Sequence, residues 1–299
     1  MYIFMDIYHY KQWEREFHDL GYEERFFDSN GTRLCYYSYI DGSRETLLLM
    51  HGFSANKHWW DFCLPRLTRK FNVIALDLCG MGKSDHLKHY EPHVVIQHIH
   101  QLLQSINIEK FHFVAHSFGA YLASFMLTVY PEHFLSFTCM DLDLKAYNPN
   151  IDRPSTNTKP IPRRWYASKD IALSRFRLIP GGHVADDPRW LHYIASKSVC
   201  KIGEQWTWCF DPNIFLYHKI PCLDLFSENV KRFNIPCCLI VGEKTALFRI
   251  EDAIQNWNSI VPIKIGSHSI IGNAYHHLML DQPLECVETI CRFILQLDP

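Results

Sequence analysis

"FHFVAHSFGAYLASFML", Phe111 to Leu127, opens as a short apolar run and continues with helix-like spacing, with a single hydroxyl, Ser117, at the join. A nearly continuous apolar run fits a strand covered on both faces, and the pattern after Ser117 fits a buried helix. A serine at a sharp strand-to-helix turn has its side chain pushed clear of the sheet, while the helix aims its amino end at any charge that develops there. The bend presses the residues two before and two after the serine together, so both must be small. Here they are Ala115 and Gly119. A helix N-cap is the competing reading of the same serine. The remainder of the chain decides between them.

Outward from this stretch, two periods alternate. "YEERFF" and "RLCYYSYI" flank Ser29, Asn30 and Gly31 and predict a β-hairpin closed by an Asn-Gly turn. Buried-strand runs follow at "TLLLM" (46–50), "FNVIALD" (71–77), "FHFVAH" (111–116), "FLSFTCMD" (134–141), "CCLIVG" (237–242) and "IKIGSHSII" (263–271). Helix-period stretches separate them: "HWWDFCLPRLTRK", "VVIQHIHQLLQSI", "FGAYLASFMLTVY", "IEDAIQNWNSI" and "LECVETICRFILQL". Strand and helix in alternation predict an α/β fold with a mostly parallel, doubly wound sheet. The alternation breaks between 144 and 235, where Pro, Asn, Arg and Trp accumulate in stretches such as "YNPNIDRPSTNTKPIPRRW" and "IPGGHVADDPRW". The expected organisation is a core of 1–143 and 236–299 with a partly helical cap, 144–235, inserted between two strands.

Bulk properties exclude several function classes. A formal charge of −2, from 30 Lys and Arg against 32 Asp and Glu, offers no basic footprint for nucleic acid. The amino-terminal "MYIFMDIYHYKQWEREF" lacks the basic start and unbroken apolar stretch of a secretion signal, and no segment reaches 18 apolar residues. Eleven scattered cysteines, odd in number and including adjacent Cys237 and Cys238 in a strand run, fit reduced thiols in a cytoplasmic protein. The 18 histidines include no His-Glu-x-x-His run, and "HIH" at 98–100 puts its rings on opposite sides of a helix. No metal or cofactor is expected.

Three further signatures bear on Ser117. His51, Gly52 and Phe53 follow the third strand, Asp77, Gly80, Gly82 and Ser84 follow the fourth, and His276 stands seven residues before Pro283 and a final amphipathic helix. With these residues, in this order, the sequence resembles the α/β-hydrolase superfamily over all but the amino-terminal stretch and the detail of the cap. The resemblance implies Ser117 as nucleophile, His276 as base, and the backbone N–H groups of Phe53 and Phe118 as oxyanion donors. Adjacent His277 competes for the base. His116 is expected as packing behind the serine, His51 as a hydrogen-bonding loop residue, and Trp59 and Trp60 as a core anchor and a surface aromatic.

The acid departs from the common pattern. Most relatives carry it after the seventh strand as Gly-x-x-Asp, whereas "VGEKTALF" puts Thr245 there. Asp141 ends the strand after the nucleophile's helix, and the carboxyl ends of adjacent strands line one crevice in doubly wound sheets. Some branches of the superfamily carry their acid there. Asp143 and Glu243 are the rivals. A small, apolar ester, thioester or related acyl substrate under the cap is the expected partner, with Trp165, Trp206 and Trp208 lining the pocket beside Trp190 and Phe210. The alternatives are a ligand-binding or signalling protein with little turnover, or a carbon-carbon bond hydrolase, acyltransferase or cofactor-free dioxygenase.

Overall fold

The computed structural model describes residues 2–42, 44–146, 162–181, 188–216 and 222–297. The strands β1 (Glu24–Ser29), β2 (Thr32–Tyr39), β3 (Thr46–Met50), β4 (Asn72–Leu76), β5 (Phe111–His116) and β6 (Phe134–Met140) precede the insert, which carries a hairpin of β7 (Val199–Ile202) and β8 (Gln205–Trp208). Then come β9 (Cys237–Gly242) and β10 (Gly266–Ile271). Eight of these form one sheet in the order β1-β2-β4-β3-β5-β6-β9-β10. The β1–β2 and β2–β4 pairs are antiparallel; every other pair in this sheet is parallel. The expected α/β-hydrolase fold is present.

Every residue of β3, β4, β5 and β9 is buried, as strands sandwiched between helical layers must be. The pleat sends alternate side chains to opposite layers: Leu48 and Met50 join one apolar cluster, Leu47 and Leu49 the other. Helices α3 (Pro92–Ser105) and α4 (Phe118–Val129) supply the first cluster. The second takes α1 (Tyr2–Asp19), α2 (Leu64–Leu67), and the carboxyl-terminal α9 (Leu278–Asp281) and α10 (Pro283–Leu295). Asn30 and Gly31 close the β1–β2 hairpin at φ 54° and 84°, the left-handed pair that an Asn-Gly turn allows.

Several elements differ from expectation. The helix expected at 58–70 is a 3₁₀ turn, Lys57–Trp60, followed by the single turn of α2. Pro65 cannot donate to the carbonyl of Asp61, and that carbonyl instead accepts the Trp13 indole N–H at 2.8 Å. Trp60 is not a surface aromatic: it is fully buried, and Trp59 is 5% exposed. The amino-terminal helix α1 has no counterpart in the sequence reading. Its Trp13 ring meets Phe17, Phe62 and Trp190, so Trp190 is core between insert and body rather than pocket lining.

Within the insert, α5 (Lys169–Ser174) and α6 (Pro188–Lys197) accompany the unforeseen β7–β8 hairpin. The Pro-rich stretch 147–161 and the segments 182–187 and 217–221 lie outside the described residues. The expected insert extends to 235, yet α7 (Leu223–Arg232) buries Phe226 and Val230 in the cluster that contains α4, and the Asn229 amide donates to the carbonyls of Leu127 and Thr128. The helical layer of the body therefore resumes at Leu223. It continues with α8 (Ile250–Ile260), whose Trp257 ring lies 6.3 Å from Phe137.

Candidate active site

Ser117 sits between the end of β5 and the first residue of α4 with φ 50° and ψ −119°. This is an uncommon conformation for a residue with a side chain, and it persists only where surroundings over-determine it. The Ser117 amide donates to the Met140 carbonyl at 2.8 Å, and its own carbonyl accepts the Tyr121 N–H. Gly119 is required for a reason other than contact with Ala115: a Cβ there would lie 2.5 Å from the His51 carbonyl oxygen. The elbow is tight against the loop after β3.

The loop between β10 and α9 brings His276 to this elbow. Its Nε2 lies 3.0 Å from Ser117 Oγ and its Nδ1 lies 2.7 Å from Asp141 Oδ2. A carboxylate only accepts, so Nδ1 carries the proton and Nε2 is left to accept from the serine hydroxyl. Asp141 is fully buried and takes φ 48° just past β6, so the chain leaves the strand there and strand alternation does not carry on to Asp143. Its Oδ1 accepts the Gly242 N–H at 2.9 Å, and its Oδ2 also accepts the Thr245 hydroxyl at 2.7 Å. The threonine in the position where most relatives have an acid thus donates to an acid supplied by the neighbouring strand end.

The rival residues have other partners. Asp143 accepts from the Lys145 and Ala146 amides and from the Asn256 side chain. Exposed Glu243 accepts the Asn273 amide at 2.8 Å. His277 is 4% exposed, and its ring meets Trp59 edge-on at 4.9 Å rather than Ser117. Burial, aided by the neighbouring His276, pushes its pKa down to about 3.

Around the elbow, His51 Nε2 accepts the Leu78 N–H at 3.1 Å and its Nδ1 donates to the Gly52 carbonyl at 2.8 Å; burial holds its pKa down at about 4. Phe118 opens α4, where backbone N–H groups have no intrahelical acceptor. The Phe53 ring meets the Phe118 ring edge-to-face at 5.2 Å, so the two expected donor residues stand side by side at Ser117. His116, His276 and His277 have nitrogens within 4.8 Å of one another. Both nitrogens of His276 and Nε2 of His116 are already engaged in hydrogen bonds, a donor set poorly disposed to share an ion.

A family model for the alpha/beta hydrolase fold matches residues 45–165. A monoacylglycerol lipase from Bos taurus is 22% identical over 301 residues, covering 96% of this chain and 85% of its own length. Epoxide hydrolase 1 from Caenorhabditis elegans is 23% identical, covering 92% and 70%. An esterase structure from Mycobacterium tuberculosis superposes with a TM-score of 0.74 at 16% identity, covering 96% and 98%. The chain has the α/β-hydrolase fold, and its similarity to these proteins runs over nearly its whole length.

The loop after β4 holds an ion pair that leaves no local mark in the sequence. Fully buried Asp77 accepts the amides of Lys57 and Lys83 and pairs with the Lys57 ammonium at 2.9 Å. Lys57 is itself fully buried, with Glu24 as a second partner at 3.1 Å. Only the pairing could have revealed it, because nothing local marks one lysine among many as buried. Of the three tryptophans expected at the pocket, Trp165 is 45% exposed. Trp206 lies under the Lys169 ammonium, and the Trp208 ring meets Tyr166 and Phe176. These are contacts within the insert rather than with the elbow. A small apolar cavity of about 10 Å³ lies behind Phe118, against Tyr90, Tyr121 and Ile214.

Proposed function

We propose that the protein is a serine hydrolase that cleaves an ester, thioester or related acyl bond of a small apolar substrate through an acyl-enzyme on Ser117. One observation carries the reading: the unbroken chain Ser117 Oγ, His276 Nε2 and Nδ1, Asp141 Oδ2, at 3.0 and 2.7 Å, set on a strained strand-to-helix elbow. In this reading the Ser117 oxygen attacks the acyl carbonyl carbon while its proton passes to His276 Nε2. Asp141 holds the Nδ1 tautomer and stabilises the imidazolium. The developing oxyanion is met by the backbone N–H groups of Phe118 and Phe53, each such donor contributing roughly 2.7–4 kcal/mol to the transition state. The imidazolium then protonates the departing alcohol or thiol, and water, activated by the same nitrogen, releases the acid.

A lipase and an esterase among the similar proteins support ester chemistry at the level of the superfamily. For the epoxide hydrolase branch the nucleophile would be a carboxylate, and here the elbow residue is serine. The test is labelling with a fluorophosphonate followed by p-nitrophenyl esters of graded chain length. One label per chain at Ser117 together with ester turnover is the expected result. A folded protein that neither labels nor turns over ester would leave the scaffold as a binding protein and end this reading.

A further inference from the structure

The loop that carries His276 is braced from two sides by polar groups with no place in the mechanism above. The His116 Nε2 lies 2.7 Å from the His276 carbonyl oxygen. A carbonyl only accepts, so Nε2 carries the proton and donates. The other nitrogen of His116 is packed against Gly52 without a partner among the described residues, although His116 is 1% exposed. On the other side, the Tyr275 N–H donates to Asp281 Oδ2 at 2.9 Å. Asp281 is 5% exposed, its second oxygen has no partner among the described residues, and burial, with Asp141 nearby, pushes its carboxyl up to about 7.

Both side chains therefore sit in dry surroundings with half of their hydrogen-bonding capacity unused. Apolar residues of the same size would carry no such cost. Among the described residues, the one hydrogen bond made by each side chain goes to the backbone on either side of the His276 side chain. The same loop is pressed onto β9: a Cβ on Gly242 would lie 2.4 Å from the Tyr275 carbonyl oxygen, and the Lys244 N–H donates to the Ala274 carbonyl at 2.8 Å. The loop cannot shift toward the sheet, so freedom remains only along and away from it. Those are the directions in which the His116 and Asp281 bonds act.

We infer that His116 and Asp281 are positioning residues, whose bonds to the His276 carbonyl and the Tyr275 amide hold the His276 ring across the gap between Ser117 and Asp141. The inference rests on the hydrolase reading for its kinetic consequence but not for its structural one. Misplacing a reacting group by about 1 Å can cost about 10²-fold in rate.

The test compares variants that delete each bond, His116→Leu and Asp281→Ala, with variants that keep it, His116→Gln and Asp281→Asn. The readouts are kcat and KM on a p-nitrophenyl ester, and the far-downfield NMR resonance of the His276 Nδ1 proton shared with Asp141. The deleting variants are expected to lose roughly ten- to a hundredfold in kcat with KM within about twofold, and to broaden or lose the resonance. The conserving variants recover about tenfold of the loss and keep the resonance. Folded deleting variants with the parent's kcat and an unchanged resonance overturn the inference. If the parent shows the resonance but no turnover, the hydrolase reading has failed, and the resonance in the variants still decides the positioning role. Should His116→Leu not fold, Asp281→Ala, which removes a carboxyl that burial already penalises, decides by the same two readouts.

Discussion

Two serine–histidine–carboxylate chains occupy opposite ends of the same strands. At the carboxyl end lies Ser117–His276–Asp141. At the amino end, His112, second in β5, faces Ser136 of β6 across the ladder: its Nδ1 lies 2.8 Å from Ser136 Oγ and its Nε2 2.9 Å from Glu45 Oε2. The lengths are nearly equal, so hydrogen bonding alone does not distinguish a reactive serine from a structural one. Ser136 is fully buried inside β6, paired with His112 just past a register shift in the ladder, and no helix starts at it. Ser117 lies at a turn with positive φ, half-buried, at the amino end of α4. The ring is also reversed: the serine is met by Nε2 in one chain and Nδ1 in the other. Access, backbone bend and nearby amide donors are what the second chain lacks.

The sharpest way to break this contrast is to remove each hydroxyl in turn. Ser117→Ala is expected to lower kcat on the order of 10⁶-fold with an unchanged circular dichroism spectrum. Ser136→Ala should leave kcat alone and cost about 1–3 kcal/mol in denaturant unfolding, because it strands a buried His112 nitrogen. Ester turnover that survives in Ser117→Ala would mean that Ser117 is not the nucleophile. Next in size is the acid: Asp141→Asn is expected to lower kcat by up to roughly 10⁴-fold while ligand binding stays near the parent value. Glu45→Gln, at a carboxylate whose side chain is 43% exposed, should change turnover little, as should Glu243→Gln; a collapse in the Glu243 variant would return the acid to β9.

Smaller is the effect of Thr245→Val, which deletes one of the donors to Asp141. Roughly ten- to a hundredfold in kcat is expected, since a hydrogen bond to a charged group contributes about 1.5–3 kcal/mol and the Gly242 amide remains. A loss as large as that of Asp141→Asn would make the threonine an equal member of the site. The smallest effect separates His277 from the working histidine. Burial holds His51 and His277 at about 4 and about 3, below 6.5, so the folded state binds fewer protons than the unfolded chain as pH falls. The stabilisation present above pH 6.5 is therefore lost on descending toward 3. His277→Phe should flatten that slope in unfolding midpoints measured across this range without abolishing turnover. An unchanged slope would show that His277 does not contribute to it.

How much of this was readable in advance depends on what kind of signal each element leaves. The strands 46–50, 111–116 and 237–242 match their apolar runs residue for residue, because a strand buried on both faces reads as a nearly continuous apolar run that stops where the chain leaves the sheet. The elbow was legible from Ser117 and Gly119, and Asp141 from its place at a strand end. The helix α1 was not, since its buried Trp13 and Phe17 are interspersed with charged residues and are covered by groups such as Trp190 that lie far along the chain. The β7–β8 hairpin is short, half exposed and turns at Gly203 and Glu204, leaving too brief a pattern to separate from loop. The bond from His116 to the His276 carbonyl could not be read at all: a backbone acceptor carries no side-chain signature.

The placement of Asp141 has a consequence for how such a chain can diversify. Ser117 and Asp141, the proposed nucleophile and acid, both belong to a single β5–α4–β6 unit, and the insert begins only after both have been laid down. Lengthening, shortening or exchanging that insert leaves their spacing untouched, and only the His276 loop must find its way back to them. In a lineage with this arrangement, the insert is free to drift by insertion and deletion. The unit holding Ser117 and Asp141 can be inherited as one block.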